Sequence, residues 1–305
     1  MKLKIATCQF PVAVDIKSNL RYVLDQLRKS VQQGARVVHF SEVALSGYAG
    51  VEFKSHAGYD WDLLKDATQQ VIECARRLRV WVILGSTHRL TGKHRPHNSL
   101  YIIDPRGRIV DRYDKRFCTG RREVICEDLK HYSPGSHLPV FTIDGVGCGV
   151  QICHDLRYEE LYRQYSKRRV QLVFHSYHNG HASRARYRKA RRLLTAEQAR
   201  LSGGETIHGM IVPATMQTYA ANNYMWISAN NTSAPESSWP SFVVRPDGVI
   251  TGRLARNRAG VLVTTVDTSR HYYDASKEWR DRAIRGVLHS GRLVDDPRSR
   301  QRNRV

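Results

Sequence analysis

The stretch GVGCGVQICHDLRY, residues 145–158, decides how the rest of this chain is read. Val146, Cys148 and Val150 alternate with small or polar residues and Ile152 precedes Cys153, the pattern of a buried strand. At Cys153 the apolar run stops. His154, Asp155 and Arg157 follow at once and lead into Glu159, Glu160, Leu161 and Tyr162, which read as a helix. A thiol at such a strand-to-helix corner stands at the edge of a sheet, where backbone N–H groups can face developing negative charge. Cys153 is therefore the candidate nucleophile.

The composition bounds what can surround that corner. A chain of 305 residues can bury a full core, and its 41% hydrophobic share is that of a globular protein. There is no apolar run of about 18 residues, the length that would span a bilayer. The N-terminal MKLKIATCQF reads as a first strand rather than a signal peptide. That places the protein in the cytoplasm, with its six cysteines (8, 74, 118, 126, 148 and 153) reduced. No C-x-x-C pair occurs, so a cysteine zinc site is not expected. The formal net charge is +21, concentrated in residues 184–192 (RARYRKARR) and in the tail 295–305, which ends PRSRQRNRV. Neither run accompanies a nucleic-acid-binding motif. Lys and Arg at mixed helical spacing read as a solvated face, which argues against a nucleic-acid partner.

Outward from the corner, Leu3, Ile5 and Thr7 alternate with Lys4, Ala6 and Cys8 and predict a strand over 2–10. Helical spacing predicts helices over 15–33, 60–79, 159–168 and 183–201, and one more from Pro213 to Asn222. Short β-rich runs predict strands at 36–40, 80–88, 98–103, 108–113, 139–144, 147–152, 170–177, 224–230, 241–245, 249–253 and 260–266. Asp104 to Gly107, Asp144-Gly145 and Pro246 to Gly248 read as hairpin turns. Alternating β and α segments interrupted by hairpins predict an α/β protein with a mixed sheet, or a pair of sheets, covered by helices. With no repeat and no linker, residues 1–285 read as a single domain and 286–305 as a flexible basic tail.

Three segments share the position just after a strand: Phe40-Ser41-Glu42, Tyr113-Asp114-Lys115 and Ile152-Cys153-His154. A carboxylate, an ammonium and a thiol meeting at strand ends make an acyl-transfer site. Glu42 can take the thiol proton and later give it to a leaving nitrogen. Cys153 attacks the acyl carbon, and Lys115 is expected to lower the thiol pKa and stabilise the oxyanion.

The same three positions carry a resemblance to the carbon–nitrogen hydrolase, or nitrilase, superfamily, over Lys2 to about Val266. Residues 40–48, FSEVALSGY, resemble the block that holds the family's general base, Glu42 here. Asn98 to Tyr101, continuing through Gly107 to the run from Tyr113 to Phe117, resembles the block of the supporting lysine, Lys115. Residues 149–158, GVQICHDLRY, resemble the nucleophile block. The resemblance implies a four-layer α-β-β-α sandwich with two mixed sheets, and a homodimer or larger assembly formed through the helices near the nucleophile. It also implies hydrolysis of a non-peptide C–N bond of a small amide or N-carbamoyl compound through a thioester, without metal or organic cofactor. Nitrile hydrolysis by the same site, or a non-catalytic basic scaffold, are the competing readings.

Two departures matter. The family's further glutamate before a Pro-Gly turn falls here on Asp128, with Glu127 beside it, and either could serve. The residue after the nucleophile, usually aromatic, is His154. Tyr48 and His154, together with His178 and Asn179 at the expected mouth of the site and Trp239 on a loop, are the candidate substrate contacts. Asp155 and Arg157 are expected to fix the corner through charged hydrogen bonds or as a buried ion pair. His175, His178 and His181 recur every three residues, but strand parity puts the first two on opposite faces, which makes a poor ligand set.

Overall fold

In a computed structural model, residues 1–121, 127–180 and 183–303 are described. The strand of the opening stretch, β7 (Val146–Ile152), pairs in parallel with β8 (Leu172–Ser176), which pairs in parallel with β9 (Trp226–Asn230). Parallel neighbours need crossovers. Helix α3 (Glu159–Lys167) supplies the first and α6 (Ile207–Asn223) the second. The hairpin signals extend this sheet at both edges with antiparallel β6 (Phe141–Ile143), β10 (Phe242–Val244) and β11 (Ile250–Arg253). A second six-stranded sheet repeats the plan. Parallel β1 (Lys2–Gln9), β2 (Val37–Phe40) and β3 (Trp81–His88) are linked by α1 (Ile16–Gln32) and α2 (Trp61–Leu78). Antiparallel β4 (His97–Ile103), β5 (Ile109–Asp114) and β12 (Gly260–Asp267) complete it. The orders are β12-β1-β2-β3-β4-β5 and β11-β10-β9-β8-β7-β6.

The alternation in β1 shows how the layers form. Leu3 and Ile5 pack against the other sheet's Val146, Cys148 and Val150. Ala6 and Cys8 point the other way, into a core shared with Val23 and Leu27 of α1 and Ala67 and Val71 of α2. Each sheet is thus covered on both faces, and the order of layers is helix, sheet, sheet, helix. Asp15 and Asp60 cap α1 and α2, accepting from Lys17 and Ser18 N–H and from Leu63 N–H.

Three sequence expectations change. The basic stretch 183–201 is two helices, α4 (Arg184–Arg191) and α5 (Ala196–Ser202), because Thr195 and Gln198 form a capping box that starts α5 afresh. Helix α6 begins at Ile207 rather than at Pro213, since Thr206 caps it by accepting from Gly209 N–H and carries Pro213 inside. The basic tail contains a short helix, α8 (Pro297–Arg300), with no buried residue, beyond α7 (Arg280–Ile284). Among the described residues no helix is long and apolar enough to cross a membrane.

Towards the C-terminal ends of the parallel strands the layer between the sheets turns polar. His39 bridges the sheets, Nδ1 at 2.9 Å from Ser228 Oγ and Nε2 at 2.8 Å from Ser176 Oγ. Thr7 Oγ1 lies 2.8 Å from Ser228 Oγ, and Asn230 Nδ2 donates to Cys8 O at 3.0 Å. Burial, aided by His175, holds His39 well below the usual histidine range, so it sits there neutral. Its folded pKa is depressed, so its contribution to stability is present above about pH 6.5 and is lost as pH falls, at up to about 1.4 kcal/mol per pH unit. His39→Asn is therefore expected to lower stability at pH 7 but to flatten the loss between pH 6.5 and 5. Urea denaturation of both proteins at several pH values checks this, and equal slopes would refute it.

Candidate active site

Each strand end delivers one group. Beyond β2 the backbone turns sharply, with Val43 in the left-handed region at φ 48. The turn runs so close to β3 that a Cβ on Gly85 would lie 1.9 Å from Ser41 O, so only glycine fits there. Glu42, fully buried, donates its N–H to Tyr177 O at 3.2 Å across the sheets. Its Oε1 accepts from Lys115 Nζ at 2.9 Å and from Asn98 Nδ2 at 2.8 Å. Its Oε2 is buried with no hydrogen-bond partner among the described residues. Lys115, just past β5, also donates to Asp128 Oδ2 at 2.7 Å and to Tyr48 Oη at 3.0 Å, and Tyr48 donates to Asp128 Oδ1 at 2.8 Å. All three ammonium hydrogens are therefore used.

Of the two acids open in the sequence, the structure places Asp128 in this cluster and Glu127 outside it. Both lie in the 3-10 turn Glu127–Lys130, but Glu127 is exposed with φ 50, while Asp128 is buried and also accepts from Thr119 N–H at 3.1 Å. Glu127 is displaced because the left-handed turn points consecutive side chains apart.

Cys153, half-buried with φ 43, opens the turn Cys153–Arg157. Burial and the carboxylates of Glu42 and Asp128 push its thiol up, against Lys115 and the His178 backbone N–H, which both favour the thiolate. Lys115 lowers the thiol pKa as expected, but burial, and after it the two carboxylates, outweigh that effect. Burial also works against the ammonium of Lys115, but Glu42, Tyr48 and Asp128 hold it well above the usual lysine range. Asp128 stays low despite burial because of Lys115.

Asp155 fixes the corner, though not through Arg157, which is exposed. Its Oδ2 accepts from Ile152 N–H at 3.2 Å and Tyr113 Oη at 2.7 Å, and its Oδ1 from Phe117 N–H at 2.8 Å. The nucleophile turn is thereby tied to the residues on either side of Lys115. Burial raises Asp155 to about 6.

The remaining candidates divide. Tyr48 belongs to the cluster. His178 presents its backbone N–H to the thiol, lays its ring on Tyr48 at 5.3 Å, and sets Nε2 at 2.8 Å from Glu52 Oε1. His154 is half-buried, edge-on to Tyr158 at 6.0 Å. Asn179 braces a loop, accepting from Ser238 N–H at 2.8 Å and donating its own N–H to Asn231 Oδ1 at 2.8 Å. Trp239 is buried edge-on against Tyr177 at 5.6 Å, so it backs the site rather than lining a surface. His181 and Cys126 lie outside the described residues. No group of three or more His, Cys, Asp or Glu among the described residues could hold a metal ion. Asn98 and Tyr113 escaped the sequence reading as site residues. Counting the β4–β5 register out from the Asp104–Gly107 turn places Asn98 opposite Lys115, whose N–H donates to Asn98 O at 2.8 Å.

Two mixed six-stranded sheets face to face between helices, with a thiol, a carboxylate and an ammonium gathered at strand ends, define a four-layer α-β-β-α hydrolase-type sandwich. The same fold is seen in the amidase from Nesterenkonia sp. AN1, at a TM-score of 0.70 and 20% identity, over 94% of this chain and 97% of that one. The carbon-nitrogen hydrolase family model matches residues 4–273, and the chain belongs to that family. The omega-amidase NIT2 of Homo sapiens is 25% identical over 174 residues, 56% of this chain and 61% of that protein. That of Xenopus tropicalis is 25% identical over 176 residues, 56% of this chain and 62% of that protein. The chain thus spans 61–62% of the length of these curated relatives.

The cluster makes a checkable statement about charge. Asp128→Asn removes a carboxylate that raises the thiol pKa, so the pH profile of Cys153 alkylation by iodoacetamide should move to lower pH. Glu127→Gln should leave it in place. Mass spectrometry of the Cys153 peptide reads both, and a shift with Glu127→Gln alone would reverse the assignment.

Proposed function

We propose that this chain hydrolyses the C–N bond of a small amide or N-carbamoyl compound through a thioester on Cys153. The observation that carries this is the division of labour in Glu42: Lys115 and Asn98 hold Oε1, while Oε2 is buried and unpartnered in the same site as the thiol. In a mutant of the Nesterenkonia amidase the acetamide moiety of fluoroacetamide is covalently added at the active site cysteine, which supports a cysteine nucleophile in this fold. The omega-amidase relatives support an amide as the substrate.

The steps follow from the charges. The resting thiol is protonated, so attack is coupled to proton transfer. Cys153 Sγ bonds to the acyl carbon, its proton passes to Glu42 Oε2, and the carbonyl electron pair moves onto oxygen. The His178 N–H faces the sulfur and steadies its developing charge. Lys115, its hydrogens already engaged, acts as a fixed positive charge held by Asp128 and Tyr48. The C–N bond then breaks as Glu42 returns the proton to nitrogen, releasing ammonia or an amine. Water attacks the thioester and gives a proton to Glu42, which protonates the departing sulfur. A ureido carbonyl fits the same sequence and releases a carbamate. No metal or organic cofactor enters any step.

We further place the protein in the cytoplasm as a homodimer or larger assembly. The five described cysteines are all free thiols, which suits a reducing compartment.

A panel of small amides and N-carbamoyl compounds tests the reading. Cys153→Ala should abolish turnover while keeping the melting temperature. Glu42→Gln should lower kcat by at least about 10³-fold, as expected for a base used in every proton transfer. It also removes a charge that raises the thiol pKa, so alkylation of Cys153 should persist at lower pH. Full turnover by Cys153→Ala would end the proposal.

A further inference from the structure

One buried histidine remains without a task in these steps. His175 lies in β8 with no exposed surface, its ring stacked on Tyr177 at 4.3 Å and 4°. Its Nε2 is 3.2 Å from Cys153 O, and its Nδ1 is 2.6 Å from Tyr162 Oη. A carbonyl can only accept, so Nε2 carries the proton. Burial lowers the ring to about 3, so it is neutral and Nδ1 is bare. The Tyr162 hydroxyl therefore donates to Nδ1, and the two contacts fix both tautomer and ring orientation.

The contact falls on the nucleophile's own peptide. A non-glycine residue at φ 43 persists only where its surroundings over-determine it, at a cost of about 1–3 kcal/mol. Asp155 holds the backbone one peptide further back, through Ile152 N–H. The Cys153 carbonyl opens the 3-10 turn Cys153–Arg157, and His175 Nε2 brings a side-chain donor to it from the neighbouring strand. We propose that His175, oriented by Tyr162, is a positioning residue that pins the Cys153 carbonyl and so aims the thiol at the acyl carbon and at Glu42. This rests on the hydrolytic reading above for its kinetic consequence, but the geometry of the clamp does not.

The amide of glutamine can place its nitrogen where the ring Nε2 stands, whereas asparagine is too short to reach Cys153 O. His175→Asn should therefore lower kcat by about 10- to 100-fold, with KM within about twofold, the signature of a misaimed nucleophile rather than lost binding. His175→Gln should recover most of that loss. The rate of Cys153 alkylation by iodoacetamide, read by mass spectrometry, should fall with Asn and return with Gln. This rate needs no substrate, so it distinguishes failure of the clamp from failure of the hydrolytic reading. If Asn alkylates and turns over like the wild type, or if Asn and Gln lose equally, the clamp is wrong. Tyr162→Phe leaves β8 intact and frees the ring to turn. It should slow alkylation by a smaller factor than Asn, and an unchanged rate would also overturn the proposal.

Discussion

Lys115 carries a full charge at 1% side-chain exposure, and it does so because two carboxylates and a hydroxyl take its three hydrogens. An isolated ammonium at that depth would cost several kcal/mol, and the attraction of Glu42 and Asp128 is what offsets it. The dependence runs both ways. Without the ammonium, Glu42 and Asp128 would share one buried pocket as like charges, and breaking such a cluster typically costs about 3–5 kcal/mol. The end of β2, the end of β5 and the 3-10 turn at Glu127–Lys130 are therefore locked together by one cation. The site is a condition for this part of the fold to close.

The same cluster contains strained backbone. Val43 follows Glu42, Glu127 precedes Asp128, and Cys153 is the thiol itself; all three are non-glycine residues with φ between 43 and 50. Each costs about 1–3 kcal/mol. Compensation is present at each. Glu42 N–H reaches Tyr177 O, Thr119 N–H binds Asp128, and Asp155 ties Ile152 N–H to Tyr113 and Phe117. Gly85 belongs to this account, since its missing side chain lets the first of these turns lie against β3. At Val43 and Cys153 the left-handed residue lets a side chain leave a strand at an angle the strand does not offer.

That distribution explains what could be read from the chain alone. Strand alternation, hairpin turns and three short blocks placed Glu42, Lys115 and Cys153 correctly at strand ends, because period and turn chemistry are local. The choice between Asp128 and Glu127 was illegible, because it turns on one left-handed residue in a segment without periodicity. Arg157 was a plausible partner for Asp155 by proximity, but a buried carboxylate took the donors offered by Tyr113, Phe117 and Ile152 instead. Asn179 and Trp239 read in sequence as candidate substrate contacts, at the mouth of the site and on a loop. Their roles come from Asn231, Ser238 and Tyr177, which only the tertiary fold brings near. The split of the basic stretch into α4 and α5 turned on a capping box that uniform Arg spacing conceals.

The net charge of +21 and the charge of the site have opposite signs, and this separates surface from chemistry. Helices α4 and α5 bury no residue, so their arginines are solvated and screened. Around Cys153 two carboxylates face one ammonium, with little solvent to screen them. The outer charge can steer an anionic small molecule towards the protein, but it cannot ionise the thiol. A thiol kept neutral by burial and by Glu42 is a poor target for adventitious oxidants and electrophiles, because the thiolate is the reactive form. In the proposed hydrolysis it becomes a nucleophile only as an acyl carbon arrives to accept its electrons while Glu42 accepts its proton. In that proposal Glu42 acts twice: with burial, its charge disfavours the resting thiolate, and it takes the proton when the acyl carbon arrives.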